Sequence, residues 1–167
     1  MRHHLLLTPL LTPLLTLSMT LALSGCATPQ SHRMEDSRAI ILTNEKIREA
    51  FVDGDIDAIL KYHHPRVEKV LSWTDHQHGH DAMRKSLSGL FAHHRVAFLG
   101  RADDMDSLEI LGDTAVMVAK FSVDGRPKAA AGQAFVFSGR TMIVYVRDAR
   151  SPTGWLTYRE VIVPEAK

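Results

Sequence analysis

Histidines are the side chains of this chain that most readily suggest chemistry. His76, His78 and His80 alternate along the sequence, so on an extended chain they would share one face, as metal ligands on a strand do. A zinc hydrolase motif of the type His-x-His-x-Asp-His would require an aspartate where His80 stands and a histidine where Asp81 stands, so that motif is absent. The surrounding residues are polar and typical of a solvated loop. We therefore predict no metal site, and these three histidines are the candidates should one exist.

Two other residues are candidates for a general base. His63 and its neighbour His64 follow a short predicted helix, and a histidine at a helix C-terminus interacts favourably with the free carbonyl groups there. The alternative for His63 is a base at the mouth of a pocket, and Glu68 on the following strand is the second candidate. Spacing reveals no Ser-His-Asp arrangement and no phosphate-binding loop, so the sequence leaves catalysis undecided.

Polar residues inside apolar strands point to a ligand pocket. Arg159 interrupts the apolar segment 155–163, where it either faces a pocket and holds an anionic group or forms an ion pair on the outer face of a sheet. Other polar and aromatic residues share strand faces earlier in the chain, although tryptophan and tyrosine more commonly serve a core or an interface. The predicted ligand-binding residues are Lys69, Trp73, Thr141, Tyr145 and Arg159.

Periodicity predicts the elements that would position these residues. Apolar residues recur at helical spacing in three segments, and a period of two dominates in the second half of the chain. Glycine-containing turns at 112–113 and 138–139 predict two β-hairpins. This order predicts an α+β fold, with three N-terminal helices packed against a cone-shaped, curved antiparallel sheet. The predicted helices are 37–53, 56–62 and 81–94, and the predicted strands are 67–73, 96–99, 107–111, 114–123, 133–137, 140–146 and 155–163.

Composition excludes several classes of function. The chain has 20 basic and 19 acidic residues, and no strip of lysine and arginine suggests a nucleic-acid partner. Its single cysteine, Cys26, excludes an internal disulfide framework and leaves no other thiol for catalysis. No cofactor is predicted. The length beyond the N-terminal segment is that of one domain with a real core.

The N-terminus resembles the signal of a bacterial lipoprotein. A short basic head precedes the uncharged segment 5–23, and the segment ends in Leu23-Ser24-Gly25-Cys26, which is similar to a lipobox. The resemblance implies cleavage before Cys26 and lipidation of its thiol, which would anchor the protein in the cell envelope, on the periplasmic face of the outer membrane in a Gram-negative host. We expect residues 1–25 to be the signal peptide, 26–36 to be the lipidated cysteine and an irregular tether, and 37–167 to be the domain.

The domain itself resembles the nuclear transport factor 2-like superfamily, in its SnoaL-like branch. The resemblance covers about 37–163 and rests on the segment from Ala50 to Ile59 around Gly54-Asp55, the helix entry at 79–83, and the segment 109–115 around Gly112-Asp113. It implies a bent sheet wrapped around helices, with a pocket at the open end and often a homodimer formed through the outer sheet face. The superfamily includes isomerases, dehydratases, hydrolases, binders and scaffolds, so the fold does not determine function.

The ketosteroid isomerase branch is the best-defined catalytic member of this resemblance, and its residues are not found here. Its tyrosine would fall near Ile47, its base near Lys69, and its acid near Thr141 or Met142. Three hypotheses remain. The leading one is a membrane-anchored domain that binds a small apolar or amphipathic molecule in a cone without an acid–base pair. The alternatives are an isomerase, dehydratase or hydrolase that uses a histidine or glutamate base, and a scaffold subunit whose own side chains fill the cone.

Overall fold

The computed structural model describes residues 29–165, in which three helices accompany seven strands. The predicted signal peptide and Cys26 lie outside the described residues. Among residues 29–165, no helix is both long and apolar enough to cross a membrane. The helices and strands have the following bounds: α1 Pro29–Asp53, α2 Ile56–Leu60, β1 His63–Val70, β2 His76–His78, α3 Gly79–His93, β3 His94–Leu99, β4 Met105–Leu111, β5 Thr114–Pro127, β6 Phe135–Arg147 and β7 Trp155–Pro164.

The seven strands form one curved sheet that does not close on itself. The strand order is β2-β1-β7-β6-β5-β3, and β4 pairs with β5 beside β3. All neighbouring strands are antiparallel except β1 and β7, which run parallel, so the sheet is mixed. The helices α1 and α3 pack against this sheet. The predicted α+β class, with helices against a curved sheet, is confirmed.

The first helix begins earlier than the sequence pattern predicts. Residues 29–36 were expected to form an irregular tether, but they are the first turns of α1. Contacts from the distant sheet explain the difference. Asp36 accepts two hydrogen bonds from Arg147, at 2.8 and 2.9 Å, and one from the indole of Trp155 at 3.3 Å. These contacts hold this part of α1 against β6 and β7. They join residues more than 100 positions apart, so no local sequence pattern predicts them.

The second predicted hairpin, with its turn at 138–139, is wrong because β6 passes straight through these residues. Gly139 instead permits a close approach between strands, since a Cβ atom there would lie 2.3 Å from the carbonyl oxygen of Val163 on β7. The reversal between β5 and β6 occurs at 128–134. By contrast, the turn at Gly112, whose φ is 64°, joins β4 and β5 as predicted.

Two groups of buried side chains join the helices to the sheet. One lies under α2 and α3, and the other lies between α1 and the strands β5 to β7. Each fully buried aliphatic side chain contributes roughly 1.5–3 kcal/mol to folding. Residues of both groups also line one cavity inside the cone, so the core and the candidate site share walls. The first group includes Ile59, Val67, Met83, Leu87 and Phe91, and the second includes Ile40, Ala115, Met117, Tyr145 and Trp155.

Candidate functional site

The cone encloses a cavity of about 300 Å³ between the helices and the concave face of the sheet. Most of its wall is apolar and rich in phenylalanine, contributed by α1, α3, β3, β5 and β6. One cluster of polar lining residues lies on the neighbouring strands β1, β7 and β6, and further polar residues come from α1, β2, α3, β5 and the segment 101–104. The cavity therefore combines a mostly apolar wall with a polar cluster on these three strands. The phenylalanines are Phe51, Phe98, Phe121, Phe135 and Phe137.

A buried ion pair dominates the polar side. The Lys69 ammonium lies 2.6 Å from a carboxylate oxygen of Glu160, and the two side chains are only 10% and 13% exposed. The other oxygen of Glu160 accepts a hydrogen bond of 3.0 Å from the Thr141 hydroxyl. The pairing is set by strand register, because Lys69 on β1 lies opposite Glu160 on β7. Each charge is compensated by the other, so the pair presents strong hydrogen-bonding groups to the cavity without net charge.

His63 is a buried, neutral base in the same wall. Its Nδ1 donates a hydrogen bond of 2.8 Å to the Ile59 carbonyl, which can only accept, so Nδ1 carries the proton and Nε2 keeps its lone pair. Burial holds the pKa of His63 well below its usual 6.5, and the positive charge of Lys69 lowers it further. His63 does not end helix α2, as the sequence suggested, but begins strand β1.

Tyr145 contributes a hydroxyl that has no partner. Its oxygen is buried and makes no hydrogen bond to any residue within 29–165. Burial raises the pKa of Tyr145 far above its usual value of 10.0, and the negative charge of Glu160 raises it further, so the phenol stays protonated. An unpaired buried hydroxyl costs about 1–3 kcal/mol. This residue, which lines the cavity, is therefore a hydrogen-bond donor without an acceptor.

The structure places three of the predicted ligand-binding residues in the cavity wall, namely Lys69, Thr141 and Tyr145. Their contact with a ligand stays a prediction. The candidate base His63 also lines the cavity, whereas Glu68 does not. The alternation of side chains along β1 explains this division, since Lys69 and Glu68 are neighbours and face opposite sides of the sheet.

Trp73 does not line the cavity, contrary to prediction. Strand β1 ends at Val70, and the chain turns through 71–75, where the amide of Leu71 donates a hydrogen bond of 2.9 Å to the Asp75 carbonyl. Trp73 lies in this turn with its side chain fully exposed. The prediction extended the two-residue alternation of the strand beyond the point where the strand ends.

The predicted pocket position of Arg159 is also wrong, because β7 contains a bulge. On β6, Val144 pairs with Arg159 and the next residue, Tyr145, pairs with Thr157. Tyr158, between these two partners, is therefore an extra residue in β7. The extra residue shifts the alternation by one, so Glu160 lines the cavity and Arg159 does not. Sequence reasoning missed Glu160. A buried lysine requires a counter-charge, and that requirement was the available signal.

Arg159 instead forms a surface ion pair, the alternative that the sequence left open. Its guanidinium lies 3.1 Å from Glu68, donates to the Arg66 carbonyl at 3.1 Å, and sits 3.8 Å from the centre of the Tyr158 ring. These contacts fix the Glu68 carboxylate on the side of the sheet away from the cavity.

The three alternating histidines do not act as one group. His76 and His78 lie on the short edge strand β2, and both are exposed beside Glu68. His80 belongs to α3, where its Nε2 donates a hydrogen bond of 2.8 Å to the carbonyl oxygen of His63. The middle residue of β2, Gln77, is buried in the cavity wall and donates a 2.9 Å hydrogen bond to Ser86. Strand β2 therefore faces the cavity with its glutamine and the exterior with two histidines.

Comparison with known proteins identifies the fold. No protein-family model matches the sequence, and no curated protein matches it. Solved structures do match. A conserved protein from Planctomyces limnophilus has a TM-score of 0.69 and 15% identity over 80% of this chain and 100% of its own. A nuclear transport factor 2-like superfamily protein from Salmonella enterica has a TM-score of 0.63 and 13% identity, over 82% and 94%.

A third similar structure is a ketosteroid isomerase-like protein from Erwinia carotovora, with a TM-score of 0.60 and 14% identity over 78% of this chain and 96% of its own. The protein is thus an α+β cone that encloses a mostly apolar cavity with a polar cluster in its wall. That architecture is the nuclear transport factor 2-like fold, as the sequence resemblance implied. Similarity at these identities defines the fold alone, so the function has to be argued from the cavity.

Proposed function

We propose that this domain binds a small amphipathic molecule inside its cone. The observation that carries the proposal is a mostly apolar, phenylalanine-rich cavity wall that contains a buried polar cluster built from His63, Lys69, Glu160 and Tyr145. A volume of about 300 Å³ falls at the lower end of the range for ligand pockets. A scaffold whose cone is filled by its own side chains would leave no such cavity.

The polar cluster also indicates the chemistry of the ligand. Lys69 and Glu160 neutralise each other, His63 is neutral, and Tyr145 remains protonated, so this cluster has no net charge to attract an ion. It offers an unpaired hydroxyl donor and an imidazole lone pair that acts as an acceptor. A hydroxyl or carbonyl group on a compact apolar body matches these groups, because each can satisfy a donor or an acceptor without introducing charge.

Filling the cavity tests this proposal. Ala119 is 5% exposed and lines the cavity, so Ala119→Leu would place a larger side chain in the binding space. Ala97→Leu on β3 is the matched control, since Ala97 is exposed and outside the cavity. Native mass spectrometry of the full chain, released from detergent, should show a small-molecule adduct in the wild type and in Ala97→Leu but not in Ala119→Leu. Adduct occupancy that is equal in all three proteins would exclude binding in the cone.

Acid–base catalysis on the bound molecule is the second candidate. The observation that favours it is the neutral His63, whose Nε2 lone pair is available in a site that also contains a carboxylate. The binding hypothesis predicts a cavity without an acid–base pair, whereas the isomerase or dehydratase hypothesis predicts a histidine or glutamate base in the cavity. In deuterium oxide, a base of this kind would exchange an acidic C–H of the recovered ligand for deuterium. His63→Gln should retain the ligand and lose the exchange. Exchange that is equal in both proteins would exclude His63 as the base.

The membrane anchor is a further part of the proposal and rests on the sequence alone. Cys26 stands three positions before Pro29, where α1 begins, and three residues span at most about 11 Å. A lipid on Cys26 would therefore hold the beginning of α1 close to the bilayer, on the periplasmic face of the outer membrane in a Gram-negative host. Cys26→Ser should release the protein from the membrane fraction and abolish incorporation of labelled fatty acid. Retention of both would exclude lipidation.

A homodimer through the outer sheet face also stays a proposal. Several apolar side chains are exposed on β6 and β7, and two of them, Met142 and Val161, are direct cross-strand partners. Burial of such a patch in a second copy is one way to remove it from water.

A further inference from the structure

Three side chains outside the cone are arranged as a candidate metal centre. Glu68 on β1 and His76 and His78 on β2 each offer a ligand atom, and these three atoms lie within 4.8 Å of one another. The His78 Nδ1 is 3.8 Å from a Glu68 oxygen, and the rings of His76 and His78 are 4.0 Å apart between centres. Both histidines are exposed, and none of the three residues lines the cavity.

The backbone holds this cluster together without any ion. Antiparallel pairing sets His78 directly opposite Glu68 and sets His76 opposite Val70. Residues at alternate positions of a strand share one face, so both imidazoles project from the exterior side of β2, while Gln77 between them is buried in the cavity wall. The turn through 71–75 closes the hairpin. Binding would therefore require side-chain rotation but no rearrangement of the backbone.

From this geometry we propose that Glu68, His76 and His78 bind a divalent transition-metal ion such as zinc or copper. Bonds of about 2.0–2.2 Å to nitrogen and carboxylate oxygen place tetrahedral ligand atoms roughly 3.4 Å apart. The present separations of up to 4.8 Å must therefore shorten by about 1.4 Å, which is within the reach of exposed side chains. Two imidazoles and one carboxylate suit zinc and copper better than calcium or magnesium, which prefer oxygen ligands.

The surroundings of Glu68 fit the role of a ligand. The carboxylate oxygen that faces His78 also accepts the ion pair from Arg159 at 3.1 Å, and the second oxygen has no contact among the hydrogen bonds and ion pairs of residues 29–165. Arg159 is in turn held by the Arg66 carbonyl. A ligating carboxylate oriented by an outer hydrogen-bond partner is a common feature of metal sites. His80, which donates to a backbone carbonyl from α3, is not a ligand.

A metal at this position would tie β2, the edge strand of the sheet, to the neighbouring strand β1. Because Gln77 contributes to the cavity wall from the opposite face of β2, the ion would also steady that wall. The site is nevertheless separate from the cone, and its ligands differ from the residues proposed to contact the cavity ligand.

Calorimetric titration of the full chain in detergent with Zn²⁺ tests the proposal. The wild type should bind one ion saturably, and His76→Ala, His78→Ala and Glu68→Gln should each weaken binding at least about tenfold. His93→Ala is the matched control, because His93 is an exposed histidine at the end of α3 and should not change the affinity. Without metal, the wild type, His76→Ala and His78→Ala should have the same melting temperature. This comparison separates loss of binding from loss of folding.

Copper gives an independent spectroscopic readout. The electron paramagnetic resonance spectrum of the Cu²⁺-loaded chain should show coupling to two imidazole nitrogens, and each single histidine variant should lose one of them. The exposed Trp73, three positions before His76, should be quenched by Cu²⁺, and Trp73→Phe should lose the quenching but keep the affinity. The absence of saturable binding in the wild type would overturn the proposal. Equal affinity of the His76→Ala, His78→Ala and His93→Ala variants would also overturn it.

Discussion

Replacement of His63 by glutamine should flatten the pH dependence of stability in acid. The folded ring is neutral because burial, followed by the charge of Lys69, holds its pKa well below 6.5. In the unfolded chain the same ring is solvated and titrates near 6.5. Below that pH the His63 ring binds a proton in the unfolded state but stays neutral in the folded state. The stabilising contribution is therefore complete above about pH 6.5 and is lost as the pH falls toward the lowered pKa of the folded state.

The size of the effect follows from one proton. Where the unfolded ring is protonated and the folded ring is not, the free energy of unfolding falls by about 1.4 kcal/mol for each pH unit. Integrated from pH 7 to pH 5, with an unfolded pKa near 6.5 and a folded ring that stays neutral over this range, the loss amounts to about 2 kcal/mol. That is a substantial fraction of the roughly 5–15 kcal/mol that stabilises a typical domain. Glutamine cannot titrate, although its amide can still donate to the Ile59 carbonyl in place of Nδ1.

Urea denaturation at a series of pH values, followed by far-ultraviolet circular dichroism, measures this difference. The wild type should lose about 2 kcal/mol more than His63→Gln between pH 7 and pH 5, whatever the absolute stability of the variant. His93→Gln is the control, because it makes the same substitution at an exposed histidine outside the cavity. Parallel pH profiles for the wild type and His63→Gln would refute the argument and would mean that the folded His63 accepts a proton as readily as the unfolded one.

Other substitutions test the buried ion pair, the close approach of β6 and β7 at Gly139, and the outer face of the sheet. Lys69→Met should cost about 3–5 kcal/mol in chemical denaturation because it leaves the Glu160 charge uncompensated, and the added change Glu160→Met should restore part of that loss; a double variant less stable than Lys69→Met would contradict this. Gly139→Ala should destabilise the protein by about 1–3 kcal/mol, since its Cβ would meet the Val163 carbonyl oxygen at 2.3 Å, and an unchanged melting temperature would count against that contact. Val161→Glu should convert the proposed dimer to a monomer in analytical ultracentrifugation, whereas a wild type that is already monomeric would end the dimer proposal.

Local patterns were sufficient for the elements whose structure depends on near neighbours. The apolar spacing in the third helix predicted an inward face, and Met83, Leu87 and Phe91 are buried there. The turn at Gly112 was readable because a tight reversal needs the positive φ that glycine adopts freely. A helix face and a two-residue turn involve contacts over only a few positions, so sequence spacing contains nearly all the information that determines them.

Elements that depend on distant partners were not readable in the same way. The sequence pattern placed Gly139 in a turn, but a glycine is needed there because the Val163 carbonyl of the next strand leaves no space for a Cβ atom. The first turns of α1 looked irregular, and they are helical where Asp36 meets Arg147 of β6. In both cases the deciding contact joins segments that are remote in sequence, and pairing of this kind has no local signature.

The candidate site divides along the same line. The types of residue that could do chemistry, a histidine, a lysine and a tyrosine within apolar segments, were determined by the sequence itself, and His63, Lys69 and Tyr145 do line the cavity. The side of the sheet on which each charged residue of β7 lies was decided only by the tertiary structure. A single extra residue, the bulge at Tyr158, reverses the alternation of every residue after it, so Glu160 rather than its neighbour reaches the lysine.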